Sequence, residues 1–359
     1  MSIPTTQKAL VLPAKQAQWA LQTIAVPTPG PGELLVRVEA TALNPSDWKN
    51  QVIGHWDGIP ELGLRVPGYP MVMGSDGAGV VVQVGDGVTS FAVGDRVFLH
   101  GMFFHQKTAT FQQYAVTPAD ITAKIPSTIS LDEAASIPLG LATTTIGLYG
   151  PPGSGAQLIP PWRPEGRGKY TGQPILIFGG SSVVGTFAIQ LAKLSGFSPI
   201  ITTVSPRNYD LVKRLGATHT IDRRLSPSEI ISEIRKIVSE PLKLVYDAIS
   251  IRETLQVAYE VTAPGATILE VLEPELEAPK EKNLNVVLHF GTFHVPPSHR
   301  VLGVELFSHL TALLESGDIK PRNVEVIPGG LAGIPNGLER LKNNDVSAVK
   351  LVVHPQETL

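Results

Sequence analysis

Two patterns of apolar spacing divide the chain. Over residues 1–128 short runs alternate between apolar and polar positions and are closed by glycine-containing turns. Glu33–Ala40 (ELLVRVEA) alternates, Gly79–Gly85 (GVVVQVG) is a β-branched run, and Val93–Leu99 and Phe111–Val116 are further short runs. Each predicts a strand, and strands at this spacing predict a barrel-like or sandwiched β domain. Leu131–Tyr149 shifts to helical spacing. Pro151–Gly172 carries no clear apolar period and is dense in proline and glycine. It predicts an irregular insertion, too long for an ordinary connection and open to a role as a lid.

From Pro174 the period switches back and forth. The strands Ile175–Phe178, Pro199–Val204, His219–Asp222, Leu244–Ala248 and Ala266–Val271 alternate with the helices Thr186–Leu194, Asn208–Leu215, Ser228–Val238 and Arg252–Thr262. Such alternation predicts βαβ units and a parallel sheet. The last 60 or so residues read as a long helix (Leu302–Glu315), a strand (Val324–Ile327), a short helix near Leu338–Lys342 and a strand (Val349–Val353). A β-rich start and a mixed tail can build one domain with the α/β block inserted between them.

The turn Gly179–Gly185 (GGSSVVG) joins the first strand of that block to its helix. Helix N-termini present unpaired N–H groups and a positive dipole end, which suit a pyrophosphate. The dinucleotide fingerprint is G-x-G-x-x-G. Gly180 and Gly185 hold its outer positions, and Ser182 replaces the middle glycine. An NAD site places a carboxylate roughly 20 residues on, at the end of the second strand. Here that strand runs into Ser205, Pro206, Arg207 and Asn208, and no carboxylate precedes Asp210. A hydroxyl and a guanidinium suit a 2′-phosphate, so the pattern points to NADP(H). Arg223, after the third strand, can add charge.

Composition narrows the function. Apolar residues make up 43% and charged residues 17%, and net charge is −3, with no basic block to grip nucleic acid. Cysteine is absent, which removes disulfides, thiolate nucleophiles and cysteine-ligated zinc. No apolar run approaches the roughly 18 residues of a membrane helix, and no targeting segment stands at the start, so a cytoplasmic protein is expected.

These residues resemble the zinc-independent medium-chain dehydrogenases/reductases, in the quinone oxidoreductase and enoyl reductase branch that includes fungal trans-acting enoyl reductases. The markers are Asn44–Lys49 (NPSDWK), Gly74–Gly79 (GSDGAG), Val93–Arg96 (VGDR), Ala134–Gly140 (AASIPLG), Gly179–Ser182 (GGSS), Ser205–Asn208 (SPRN), Leu215–Ala217 (LGA) and Lys350–Val352 (KLV). The resemblance runs over nearly the whole chain. It implies an α/β plus β architecture, with a GroES-like β domain from both chain ends (1–128 and 300–359) and an inserted Rossmann doubly wound parallel sheet (129–299). It places Asn44, Pro45, Ser46 and Asp47 at the nicotinamide end of a cleft, Ser181, Ser182, Val183 and Val184 against the pyrophosphate, Ser205–Asn208 at the 2′-phosphate, and Val346 and Ser347 near the nicotinamide ribose. Arg223 stands where close relatives often carry Tyr. The family occurs as monomers and homodimers.

Without a metal to polarise an alcohol, the expected chemistry is NADPH-dependent conjugate reduction. Hydride would reach an enone, enal or enoyl thioester, with donors to the carbonyl oxygen supplying much of the catalysis. A quinone reductase and a non-catalytic NADPH-binding protein are the alternatives. A carrier protein or synthase is a further possible partner. The mitochondrial enoyl reductases of this family place a Tyr shortly after the NPSD motif, where this chain reads Gly54-His55-Trp56. His55 is therefore the side-chain candidate for proton donor, ahead of Tyr114 and Tyr149, and solvent water is the alternative. Trp48, Trp56, Leu139, Gly140, Thr143, Phe290 and Phe293 are the candidates for an apolar substrate pocket.

Overall fold

The computed structural model describes residues 3–53, 58–59, 64–65, 68–102 and 105–359. The chain divides into two compact units, one of residues 1–139, 292–315 and 321–359, the other of residues 140–291 and 316–320. Residues 129–139 and 292–299, expected in the nucleotide-binding block, thus cluster with the β-rich unit.

In the β-rich unit, Glu33–Ala42 is the central strand. It pairs antiparallel with Asp76–Val84, Tyr114–Pro118 and the C-terminal strand Lys350–Val353. Val352 lies opposite Ala42, so one sheet joins the two ends of the sequence. A second sheet pairs Thr6–Leu12 with Ala20–Ala25 and with Met71–Val72. Alternation alone did not reveal this hairpin, because Gln7 is a polar residue at a core position. Its amide donates to Gln112 Oε1 at 3.0 Å and accepts from the Tyr114 N–H at 2.6 Å, which meets its hydrogen-bonding needs inside the unit. Leu10, Met73, Phe111, Ile334 and Leu351 pack into the core beside it.

The expected helix Leu131–Tyr149 is two helices, Leu131–Ala135 and Pro138–Tyr149. Pro138 supplies no N–H to continue the first and is tolerated at the start of the second. Ser130 and Glu133 close the N-terminus of the first as a capping box.

The second unit is a six-stranded parallel sheet. Its order is His219–Asp222, Ile200–Val204, Ile175–Phe178, Leu242–Asp247, Thr262–Glu270 and Asn285–Leu288. Numbered along the chain this is 3-2-1-4-5-6, the doubly wound arrangement of dinucleotide-binding sheets. The sixth strand carries little apolar signal in the sequence, because it is four residues long and only Val287 among them is buried. Ile175–Phe178, at the centre, is buried throughout.

Pro151–Gly172 has no helix or strand, as expected, but it is fastened. Tyr170 Oη accepts from the Ile159 N–H at 2.7 Å, and the Gly168 and Tyr170 N–H groups donate to Leu194 and Ser195 carbonyls. The Tyr170 ring stacks on Phe197 at 5.0 Å, Trp162 meets Tyr149 edge-on, and Arg167 pairs with Asp318. These ties argue against a hinged lid. Among the described residues no helix is long and apolar enough to cross a membrane.

Candidate functional site

The nucleotide turn is built by close approach. Gly179 takes a left-handed φ of +70°, and a Cβ on it would stand 2.4 Å from Ile249 Cδ1. A Cβ on Gly180 would stand 2.2 Å from Thr202 Oγ1, and one on Gly185 2.2 Å from the Gly179 carbonyl oxygen. Ser182 needs no such freedom, because its φ is −68°. It is the N-cap of helix Val183–Ser195, and its Oγ accepts from the Gly185 N–H at 2.9 Å. The replaced glycine of the fingerprint therefore leaves the turn intact. Ser181, Ser182, Val183 and Val184 are half-buried at the helix mouth, where first-turn N–H groups and the dipole favour an anion. The cradle fits the pyrophosphate of a nicotinamide dinucleotide.

Beside the turn, the ends of the second and third strands meet. Arg223 Nε donates to Ser205 Oγ at 2.8 Å, and Asn208 Nδ2 donates to Ser181 Oγ at 3.3 Å. Pro206–Asn208 forms a single 3₁₀ turn on which Arg207 is exposed. Asp222, the nearest carboxylate on the third strand, is held by Arg224 through contacts of 2.6–3.1 Å. Arg224, first through its hydrogen bonds and then its charge, keeps that carboxyl below the ordinary range. Arg223 and Arg207 are thus the guanidinium groups that remain beside Ser205.

In the β-rich unit the Asn44–Asp47 motif turns inward. Asn44 and Asp47 are buried, whereas Pro45 is exposed and Ser46 half-buried. Asn44 Nδ2 donates to Asp76 Oδ2 at 2.8 Å, and Lys350 Nζ donates to Asn44 Oδ1 at 2.5 Å and to Asp76 Oδ2 at 2.8 Å. The Leu139 N–H donates to Asp76 Oδ1 at 2.6 Å. Asp47 Oδ2 accepts from the Asn44 N–H at 2.8 Å, and Oδ1 has no hydrogen-bond partner among the described residues. Burial pushes the Asp47 carboxyl up to about 7. The side chains of Asn44 and Asp47 therefore brace the start of helix Pro45–Ile53. Asp76 and Lys350 were quoted in sequence markers, but no local signal joined them.

The remaining candidates separate by burial. Phe293 is fully enclosed between His100 and Phe307 and pressed against Gly303, so it is core and not a pocket wall. Gly140 is a packing position, because a Cβ there would stand 2.3 Å from Val183 Cγ1. Thr143 is buried, its carbonyl accepts from Tyr246 Oη at 3.3 Å, and Gly291 lies against its Oγ1. Leu139 and Phe290 are half-buried. Val346 packs on the core and Ser347 is half-buried. Trp48 is half-buried, with Lys49 Nζ 5.8 Å from its ring. Burial lowers the Lys49 pKa, a perturbed cation that sequence reading passed over. Tyr149 is not a proton donor to substrate, since its buried hydroxyl shares a 2.7 Å bond with Ser195 and its pKa is raised by burial. Tyr114 is half-buried within its sheet. His55 and Trp56 lie outside the described residues.

A doubly wound sheet with a glycine-built turn at a helix N-terminus, in one chain with a β unit closed by both chain ends, defines a nicotinamide-dinucleotide oxidoreductase fold. Residues 30–127 match the alcohol dehydrogenase GroES-like domain, and residues 183–293 match the zinc-binding dehydrogenase family. A trans-enoyl reductase of Pyricularia oryzae is 31% identical, covering 98% of this chain and 99% of its own. Another from Aspergillus sclerotiorum is 33% identical over 91% and 94%. Among solved structures, an alcohol dehydrogenase superfamily protein from Novosphingobium aromaticivorans is 26% identical with a TM-score of 0.75, covering 97% and 99%. The JamJ enoyl reductase is 20% identical with a TM-score of 0.75 over 97% and 99%, a likeness of fold. The chain belongs to the medium-chain dehydrogenase/reductase family, alongside the fungal trans-enoyl reductases. It is an oxidoreductase of a family that binds a nicotinamide cofactor.

The zinc named in one of the matching families does not fit this chain's donors. There is no cysteine, and among the described residues no group of three or more His, Asp or Glu is placed to hold a metal ion.

Proposed function

We propose that this protein reduces activated carbon–carbon double bonds, with NADPH as the hydride source and no metal in the reaction. Its curated relatives at 31–33% identity over most of their length are trans-enoyl reductases, which supports the bond type. The observation that carries the cofactor choice is the Arg223–Ser205 hydrogen bond at the rim of the nucleotide turn. In this reading Gly180 and Ser181–Val184 hold the pyrophosphate through the helix N-terminus. Ser205, Arg207, Asn208 and Arg223 hold the 2′-phosphate. When bound, the nicotinamide supplies a hydride to the β-carbon of an enone, enal or enoyl thioester. The α-carbon then takes a proton, for which His55 is the side-chain candidate. Pro45, Ser46, Val346 and Ser347 would contact the nicotinamide half, and Trp48, Leu139 and Phe290 would give the apolar contacts for an alkyl chain. A carrier-bound thioester belongs to the same substrate class.

Loss of reduced-nicotinamide absorbance is the test, with an enal, an enone, a quinone, and an enoyl thioester both free and carrier-bound. Alkene turnover with NADPH preferred by at least tenfold, about 1.4 kcal/mol, is expected. Preference for NADH overturns the 2′-phosphate assignment. Turnover of the quinone alone makes the protein a quinone reductase, and tight NADPH binding without any oxidation makes it a non-catalytic binder.

A further inference from the structure

Two carboxyl side chains lie side by side inside the nucleotide-binding unit, away from the groups that contact phosphate. Asp247 ends the fourth strand of the parallel sheet, Glu270 ends the fifth, and the two are register partners. Both have zero exposed surface. Asp247 Oδ1 accepts from the Ile249 and Ser250 N–H groups at 2.9 and 2.8 Å, whereas Oδ2 has no partner among the described residues. Glu270 Oε1 has a long contact of 3.5 Å from Tyr259 Oη, a hydroxyl that also donates to the Leu276 carbonyl at 2.9 Å. Glu270 Oε2 has none.

Among the described residues neither carboxylate forms an ion pair. Charged groups on neighbouring elements are engaged elsewhere: Lys282 Nζ donates to the carbonyls of Tyr259, Glu260 and Thr262, and the Arg252 guanidinium donates to the Glu275 carbonyl at 3.5 Å. From the sixth strand, His289 offers Glu270 its main-chain N–H, which donates to the Glu270 carbonyl. Tyr259, from helix Arg252–Val261, faces Glu270 together with Asp247. Two unpaired negative charges in one dry site are strongly disfavoured, and one proton between them removes the conflict.

We propose that Asp247 and Glu270 share one proton, and that this proton holds the Asp247–Ser250 turn under the nucleotide site. The link is direct. The Asp247 carboxylate fastens Ile249 and Ser250, Ser250 sits at a left-handed φ of +55°, and Ile249 packs against Gly179 of the phosphate turn. Burial, then the Asp247 charge, pushes the Glu270 carboxyl up to about 7, in keeping with the geometry. A carboxyl raised in the folded state stabilises it below the unfolded value of 4.5 and loses that contribution as pH rises to about 7.

Thermal and urea unfolding of the whole protein and of Glu270→Gln between about pH 5 and 8 tests this, since Gln keeps the volume and carries no charge. The folding constant of the wild type relative to Glu270→Gln should fall by up to about tenfold per pH unit between about 5 and 7. Above that range the two should run parallel. Equal pH slopes for the two proteins overturn the proposal. Should the variant fail to fold, infrared difference spectroscopy of the wild type decides: a buried protonated-carboxyl band near pH 6 that Asp247→Asn shifts supports it, and its absence overturns it. NADPH titrations should show affinity falling more steeply with pH in the wild type than in Glu270→Gln, and equal slopes overturn the link to the phosphate turn. The proposal rests on the nucleotide-binding reading only in that last arm. Should neither protein bind NADPH, the nucleotide reading fails while unfolding still decides the shared proton.

Discussion

Arg223 Nε and Ser205 Oγ stand 2.8 Å apart, joining the ends of two neighbouring parallel strands. The bond aims a guanidinium at a hydroxyl on a rim where the Asp222 carboxylate is bound by Arg224. Hydrogen bonds to charged groups are worth about 1.5–3 kcal/mol. Replacing Arg223 by Leu should therefore cut kcat/KM for NADPH about tenfold to a hundredfold and leave that for NADH nearly unchanged. Steady-state kinetics with both cofactors checks it, and an equal loss with both would make Arg223 structural.

Gly185 and Ser182 make opposite predictions for one turn. In Gly185→Ala the new Cβ would meet the Gly179 carbonyl at 2.2 Å. Overpacking of this kind costs about 1–3 kcal/mol, and the displaced turn should lose nucleotide binding as well. Ser182→Ala should cost about 1 kcal/mol through the lost cap, and Ser182→Gly only a few tenths. Restoring the fingerprint's missing glycine should not improve NADPH affinity. Urea unfolding with fluorescence titration of NADPH reads both outcomes.

Lys350 and Asp76 form a buried pair, with their side chains 2% and 0% exposed. Removing one partner strands the other charge. Lys350→Met should destabilise the protein by about 3–5 kcal/mol. Lys350→Met combined with Asp76→Leu should cost less than Asp76→Leu and Lys350→Met added together. A double-mutant cycle in chemical denaturation measures the difference.

His354 clips the C-terminal segment to helix Leu131–Ala135 through Asp132 at 2.8 Å, and it also bonds Glu357 at 2.9 Å. Burial works to lower its pKa, but the hydrogen bonds to Glu357 and Asp132 outweigh burial and hold it above 6.5. Its contribution is complete below that unfolded value and is lost as pH rises through the folded one. Relative to His354→Gln, the wild type should melt higher at about pH 5.5 and lose the advantage by about pH 8.5. Melting curves at the two pH values decide it, and a constant difference would show that the imidazole acts uncharged.

Local pattern carried the order of elements. The switch between a two-residue and a 3.6-residue period depends only on neighbours along the chain, so the βαβ series and most strands of the β-rich unit were legible. So were the phosphate turn and the serine and arginine after the second strand. What pattern could not carry was any feature made by distant residues. Gln7 disguised a core strand because its partners, Gln112 and Tyr114, are over 100 positions away. Phe293 looked like a pocket wall until His100, Gly303 and Phe307 enclosed it. Asn44 carried no local sign that its side chain bonds Asp76 and Lys350, and Asp47 none that it is buried against the Asn44 N–H.

Local pattern was enough to fix a parallel sheet with a glycine turn leading into a helix N-terminus. Which charges gather around that turn depends on strand order. Arg223 reaches Ser205 across 18 residues because strands two and three are neighbours, and Glu270 lies beside Asp247 because strands four and five are. Lys350 reaches Asp76 across 274 positions because the last strand pairs with Glu33–Ala42, which also pairs with Asp76–Val84. Strand order is set by burial of the whole apolar surface at once, a sum over the entire chain that no local window contains.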